Sequence, residues 1–208
     1  RIDAEFLIFG GNKNSEASHS GFLGKQLLKT GKAFVMEESA RIAAVPVFDG
    51  SISFNKYSGV QEWGNEVLFL WVNLNSPRAE VVNEFPKNGR QITWFGGSRM
   101  HEDSPVIAKL IRVGKAQHHQ KSTDGKKESI TESLASSSGS GAIVLWCRRY
   151  IQSHKTFTPY ACLGRLEYVS HEPGSRPLSF LWNLLDYDQL MRHPDKSVRE
   201  TFQDIVSS

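Results

Sequence analysis

The spacing of apolar and polar positions along the chain predicts mostly strands. Residues 66–74 form its most apolar run. That run is too short for a buried helix and rich in β-branched and aromatic side chains, and it predicts a central strand. Shorter runs at 5–9, 33–36, 42–48, 52–57 and 90–95 predict further strands. Gly10-Gly11 closes the first, Asp49-Gly50 provides a turn after 42–48, and Gly96-Gly97 ends the run at 90–95. Three more strands are predicted at 142–150, 160–170 and 178–185, the last two joined by a turn through Pro173-Gly174.

Helical spacing is rarer. Phe22, Leu23, Leu27 and Leu28 suit a short helix or turn over 21–29. Ser104 suits an N-cap and Pro105 a first helical position. Val106, Ile107, Leu110 and Ile111 fall on one helical face, and Gly114 suits a stop. Val198, Phe202 and Ile205 mark a terminal amphipathic helix, and Asp186 with Asp188 reads as a helix start. Residues 117–141 hold no aromatic side chain and are rich in Ser, Lys, Gly and Glu, which predicts a disordered, solvated insertion between two ordered parts. Strands outnumber helices and are often consecutive. The expected class is α+β and β-rich: a curled mixed or antiparallel sheet, or a partly open PUA-like barrel, with a few peripheral helices. With 208 residues, one domain spanning 1–208 is expected.

Composition narrows the function classes only a little. Five Trp and twelve Phe favour strands or a groove lined by flat side chains. A net charge of +3 permits nucleic-acid binding without requiring it. No run approaches the roughly 20 apolar residues of a membrane span, and no signal peptide is visible. The start at Arg1 reads as an excised fragment. Cys147 and Cys162 belong to no Cys-x-x-Cys pair, His118-His119 falls in the polar insertion, and no metal-ligand or catalytic motif stands out. No metal, no cofactor and no catalytic residue is therefore expected. An intracellular place, nucleus or cytoplasm, is expected with them.

Three groups of residues suit a ligand. In Trp94-Phe95-Gly96-Gly97-Ser98-Arg99, the glycines allow close backbone approach, the helix that follows offers free N–H groups to an anion, and Arg99 could clamp a phosphate while Trp94 stacks on a base. The same residues equally suit a tight turn with both aromatics in the core. On the strand through Trp146, Arg148 and Tyr150, alternation puts all three on one face. This is an aromatic–cation–aromatic stripe suited to nucleic acid, or a solvated strand face. At the turn over 171–177, His171, Ser175 and Arg176 line the rim. Ser170-His171-Glu172 reads as a hydrogen-bonded hairpin loop rather than a triad, because residues adjacent in sequence rarely assemble one.

Residues 157–172, continuing through Ser175-Arg176-Pro177-Leu178 to Trp182, resemble the Y-V-S-H-E … R-P ending of an uncharacterised domain. That domain often lies C-terminal to helicase modules in bacterial restriction and defence proteins. The order of Asn55 to Tyr57, the apolar run at 66–74 and the block at 92–98 is similar, so the resemblance spans about 52–185, interrupted at 117–141. It implies a β-rich module that recognises duplex DNA, in the manner of readers of modified DNA, alongside other domains of a larger protein. It supplies no catalytic residue. The serine-rich insertion departs from that pattern and hints at a eukaryotic homologue. The expectation is DNA binding through one anionic groove lined by Arg99, Arg148 and Arg176, with Trp94 and Tyr150 as stacking platforms and Gly96, Gly97, Ser98 and His171 beside them. A protein-interaction module and a nucleic-acid enzyme without a readable motif are the alternatives.

Overall fold

The structure, a computed structural model, describes residues 4–10, 21–27, 31–42, 59–63, 67–77, 79–123 and 141–208. Its centre is a seven-stranded mixed sheet of β1 (Val60–Trp63), β2 (Val67–Leu74), β3 (Gln91–Phe95), β4 (Ala142–Ile151), β5 (Thr156–Phe157), β6 (Ala161–His171) and β7 (Ser179–Leu184), ordered β1-β2-β4-β6-β7-β3 with β5 paired to β4. The pair β2–β4 is parallel and every other pair is antiparallel. The fold is thus α+β and β-rich, as the apolar pattern predicts. Of the two expected forms, a curled mixed sheet or a partly open barrel, the sheet is not closed into a barrel: β1 and β3 end the strand order and do not pair with each other.

Five helices accompany the sheet among the described residues: α1 (Ala4–Phe9), α2 (Lys32–Ile42), α3 (Pro105–Thr123), α4 (Tyr187–Met191) and α5 (Lys196–Val206). The first two overturn expected strands. A short apolar run does not declare its period, and in α2 the buried positions Val35, Met36 and Ser39 recur at helical spacing. Segment 21–27 is no helix. It bridges to the start of β6 at Leu23–Cys162 and Gln26–Ala161. The expected strand at 52–57, the Asp49-Gly50 turn and the run at 42–48 beyond Ile42 lie outside the described residues.

Helix α3 does not stop at Gly114. A Cβ there would lie 2.8 Å from Cβ of Tyr168 and 3.2 Å from Cζ3 of Trp182. The glycine is a contact point that brings the helix down onto β6 and β7. Because α3 continues to Thr123, the segment expected to be disordered begins as helix at 117, and 124–140 lies outside the described residues.

β2 is buried at every position except Asn73, and Trp94, Trp146, Trp182, Phe69 and Phe180 fill the core. One polar element is built into it. Asp186 is fully buried; it accepts from the Arg165 backbone N–H at 2.7 Å and from Arg165 Nη2 at 2.6 Å. Gly164, at φ 90°, makes room for that carboxylate, since a Cβ would lie 2.8 Å from Cβ of Asp186. Among the described residues no helix is long and apolar enough to cross a membrane.

Candidate functional site

The antiparallel β4–β6 ladder divides the expected site residues between two ends of the sheet. Cys147 pairs with Ala161, so Arg148 lies at the beginning of β6. His171 closes β6 and pairs with Phe180, while Phe95 pairs with Ser179. The 96–104 and 172–178 loops therefore share the far end. At about 3.3 Å per residue, the length of β6 separates the two ends by about 30 Å. A single groove lined by Arg99, Arg148 and Arg176 is excluded: Arg99 and Arg176 belong to one end and Arg148 to the other.

At the far end the two loops are tied together. Gly96 N–H donates to Leu178 O at 2.9 Å, and Gly174 N–H donates to Glu102 Oε1 at 2.9 Å. Gly97 O accepts from Met100 N–H, and Ser104 Oγ accepts from His101 N–H, so that hydroxyl serves the loop before α3. Trp94 is 1% exposed and packs on Phe180, which makes it core and removes it as a stacking platform. His171 stacks on Phe180 and shares a 2.6 Å hydrogen bond between its Nδ1 and the Tyr168 hydroxyl, with Glu102 3.9 Å from Nε2. Ser175 Oγ donates to Glu172 O and accepts from Ser179 N–H, the hydrogen-bonded hairpin loop that the sequence suggests. Ser98, Arg99 and Arg176 are exposed. Glu102, Asp103 and Glu172 share this rim with them, so two arginines face three carboxylates and the rim does not favour a polyanion.

The Arg148 end differs in charge. From Ala142 through Leu166 the chain carries Arg148, Arg149, His154, Lys155 and Arg165 and no acidic residue. The turn after β4 presents His154 and Lys155 to solvent, with Lys155 at φ 50°. Arg149 is engaged elsewhere, its Nη2 2.8 Å from Asp204 on α5. The stripe anticipated on β4 runs from core to surface. Trp146 is buried and stacked on Trp71 at 6.0 Å, whereas Arg148 and Tyr150 are half-buried beyond it.

Arg148 is held on three sides. Its Cζ lies 4.3 Å from the Phe157 ring centroid and 4.6 Å from that of Tyr160, and its Nε donates to Asn73 Oδ1 at 2.7 Å. The Tyr160 hydroxyl donates to the same oxygen at 3.2 Å. Tyr150 packs edge-on against Phe157 at 5.1 Å. Among the described residues the two terminal nitrogens of Arg148 have no hydrogen-bond or ion-pair partner. The guanidinium is thus oriented in advance, with its bidentate edge available to an oxyanion or a base edge. Lys32 joins the cluster, its Nζ 5.6 Å from the Trp71 centroid, and Trp71 meets Tyr160 edge-to-face at 4.9 Å. Burial, then the Arg148 charge, pull the Lys32 pKa below its ordinary value. Burial pushes the Tyr160 phenol up to about 12.

Pattern reasoning on the sequence missed Asn73, Phe157, Tyr160 and Lys32 as members of this site. The β2–β4 register places Asn73 opposite Arg148, and the single polar residue in an otherwise apolar strand was the available signal. The cysteines offer no rival chemistry. Both are buried and free; burial raises Cys147 well above its ordinary range and Cys162 to about 12. Neither is a thiolate near neutrality. No group of three or more His, Cys, Asp or Glu suited to a metal occurs among the described residues. Comparisons with protein-family models, curated proteins and solved structures find no match to this chain.

Proposed function

We propose that this chain is a nucleic-acid-binding module, with duplex DNA, plain or base-modified, as its ligand, and that Arg148 is its anchoring contact. The observation that carries this reading is the pre-set guanidinium of Arg148, clasped by Phe157, Tyr160 and Asn73 with its terminal nitrogens unengaged. The strand–turn–strand from 142 to 166 that carries it has no acidic residue of its own, and its turn presents His154 and Lys155 to solvent, while Arg149 is paired with Asp204. Half-buried Tyr150 adds an aromatic surface beside the cation, the combination that nucleic-acid grooves use. The resemblance of residues 157–182 to the C-terminal domain of helicase-bearing defence proteins implies the same ligand class; Phe157 and Tyr160 from its first residues touch Arg148, whereas its Tyr168-to-Pro177 block lies at the far end of β6.

The test is a binding screen on duplex and single-stranded DNA, with and without base modification, at two salt concentrations. Tight binding at low salt that weakens steeply at high salt is expected, because phosphate contacts release counterions. Absence of binding to every nucleic acid at low salt overturns the reading in favour of a protein-interaction module.

A further inference from the structure

We infer that the solvent side of α3 is a second phosphate-contacting surface, so that one chain holds two DNA segments, one on each face of its sheet. This inference rests on the nucleic-acid reading above and extends it from one segment to two. Helix α3 carries Lys109, Arg112, Lys115 and Lys121 and no acidic residue. Ile107, Leu110 and Gly114 are its buried side, and Ala108, Arg112, Lys115 and Ala116 recur at helical spacing on the exposed side. Lys109 is engaged by Glu62, 2.9 Å away. Among the described residues Arg112 and Lys115 have no ion-pair or hydrogen-bond partner, and the Lys115 Nζ lies 5.9 Å from the Tyr168 ring centroid. Ala108 and Ala116 flank the two cations with methyl groups only, which lets a phosphate backbone come close to the helix. Pro105 to Arg112 spans about 10 Å of helix. That distance exceeds the screening length of about 8 Å at physiological salt, so Glu102 and Asp103 before the helix do not cancel the pair.

The strand register sets this surface apart from Arg148. Gly114 meets Tyr168 and Trp182, which pair across β6 and β7. Leu166, two residues from Tyr168 on the same face of β6, pairs with Ile143, so Ile143 shares the face that α3 covers. The β2–β4 ladder runs without a break from Ala142 to Arg149. Alternation along β4 therefore turns Arg148, an odd number of positions from Ile143, to the opposite face, with Trp146 and the Phe22 that packs on it. The sheet and α3 stand between Arg148 and the Arg112–Lys115 pair, so one straight duplex cannot engage both. A phosphodiester strand supplies regularly repeated negative charge, which suits a short row of exposed cations on a rigid helix. Contacts of that kind position a backbone without reading bases, so the second segment is held whatever its sequence.

The experiment mixes donor-labelled and acceptor-labelled duplexes with the whole chain and reads energy transfer between them. The duplex-to-chain ratio at saturation and the sedimentation of the free chain are measured alongside. Energy transfer, two duplexes per chain and a monomeric free chain are expected. Arg112→Glu combined with Lys115→Glu should hold one duplex only, with the second bound at least tenfold more weakly, the loss of charge-assisted contacts. Circular dichroism confirms the fold, and Arg112→Gln with Lys115→Gln keeps the claim testable if charge reversal unfolds α3. One duplex per chain without energy transfer overturns the inference and leaves the nucleic-acid reading standing. Transfer that survives both double variants, or that comes from a self-associated chain, overturns it equally. Displacement of the second duplex by polyglutamate as readily as by unlabelled duplex assigns the α3 surface to an acidic protein and overturns the inference. Failure to bind any nucleic acid overturns the nucleic-acid reading as well.

Discussion

Arg148 and Asn73 face each other across the parallel β2–β4 ladder, and the Arg148 Nε donates to the Asn73 Oδ1 at 2.7 Å. That oxygen also accepts from the Tyr160 hydroxyl, so one exposed amide orients both the cation and one of the rings that clasp it. Asn73→Ala frees the guanidinium to rotate. Nucleic-acid affinity should fall severalfold, with at most about 1 kcal/mol lost in stability. Asn73→Asp should fall further, because a carboxylate neutralises Arg148 without loosening it. Dissociation constants and melting temperatures of the two variants measured together check this; Asn73→Asp binding as tightly as the parent contradicts it.

Gly114 sets two known effects against each other. Alanine in a helix interior gains about 0.5–1 kcal/mol over glycine. Here the new Cβ would stand 2.8 Å from Cβ of Tyr168, and neither α3 nor β6 yields readily. Overpacking costs about 1–3 kcal/mol, so Gly114→Ala should lower stability on balance. A urea titration reads the sign, and a raised midpoint would show that α3 can lift off the sheet at little cost.

Asp186 is the buried half of an ion pair whose Arg165 side chain is 22% exposed. Asp186→Ala removes the carboxylate that accepts from Arg165 Nη2 and from the Arg165 backbone N–H. The expected loss is about 3 kcal/mol, seen as a large fall in the denaturant midpoint. Because this pair lies apart from Arg148, affinity of the folded fraction should be unchanged.

The lowered Lys32 pKa fixes the sign of a pH dependence. Burial first, then Arg148, make the folded state release this proton below the ordinary lysine value of 10.5, while the unfolded chain still holds it. Between the lowered value and 10.5 the unfolded state binds more protons, so stability contributed at this site rises with pH across that window. Anion affinity runs the other way and falls as Lys32 loses its charge. Denaturant titrations at stepped alkaline pH should show the rise in the parent and its absence in Lys32→Met; identical profiles would contradict the assignment.

Much of this fold was legible where a run was long or its caps were distinct. The apolar run at 66–74, the Ser104-Pro105 helix start and the alternation through 142–150 are strands or helix close to where pattern placed them. The runs at 5–9 and 33–36 are helical because four or five apolar residues fit either period, and only packing decides. Gly114 shows the same limit from the other side. A glycine that reads as a stop is kept for a close approach visible only in three dimensions. In the site, Arg148 and Tyr150 were legible as a stripe. The separation of Arg99 and Arg176 from them depended on antiparallel register, which one strand's residues do not encode. Trp94 had two readings, and its place opposite Phe180 decides for the core.

The most direct test of the central claim is the salt dependence of duplex DNA binding by Arg148→Ala against the parent, with circular dichroism confirming the fold. Removal of one phosphate anchor should weaken binding about tenfold at low salt and reduce the slope of log affinity against log salt by about 0.9. A folded Arg148→Ala variant that binds duplex DNA with the parent's affinity and the parent's salt slope would contradict the account.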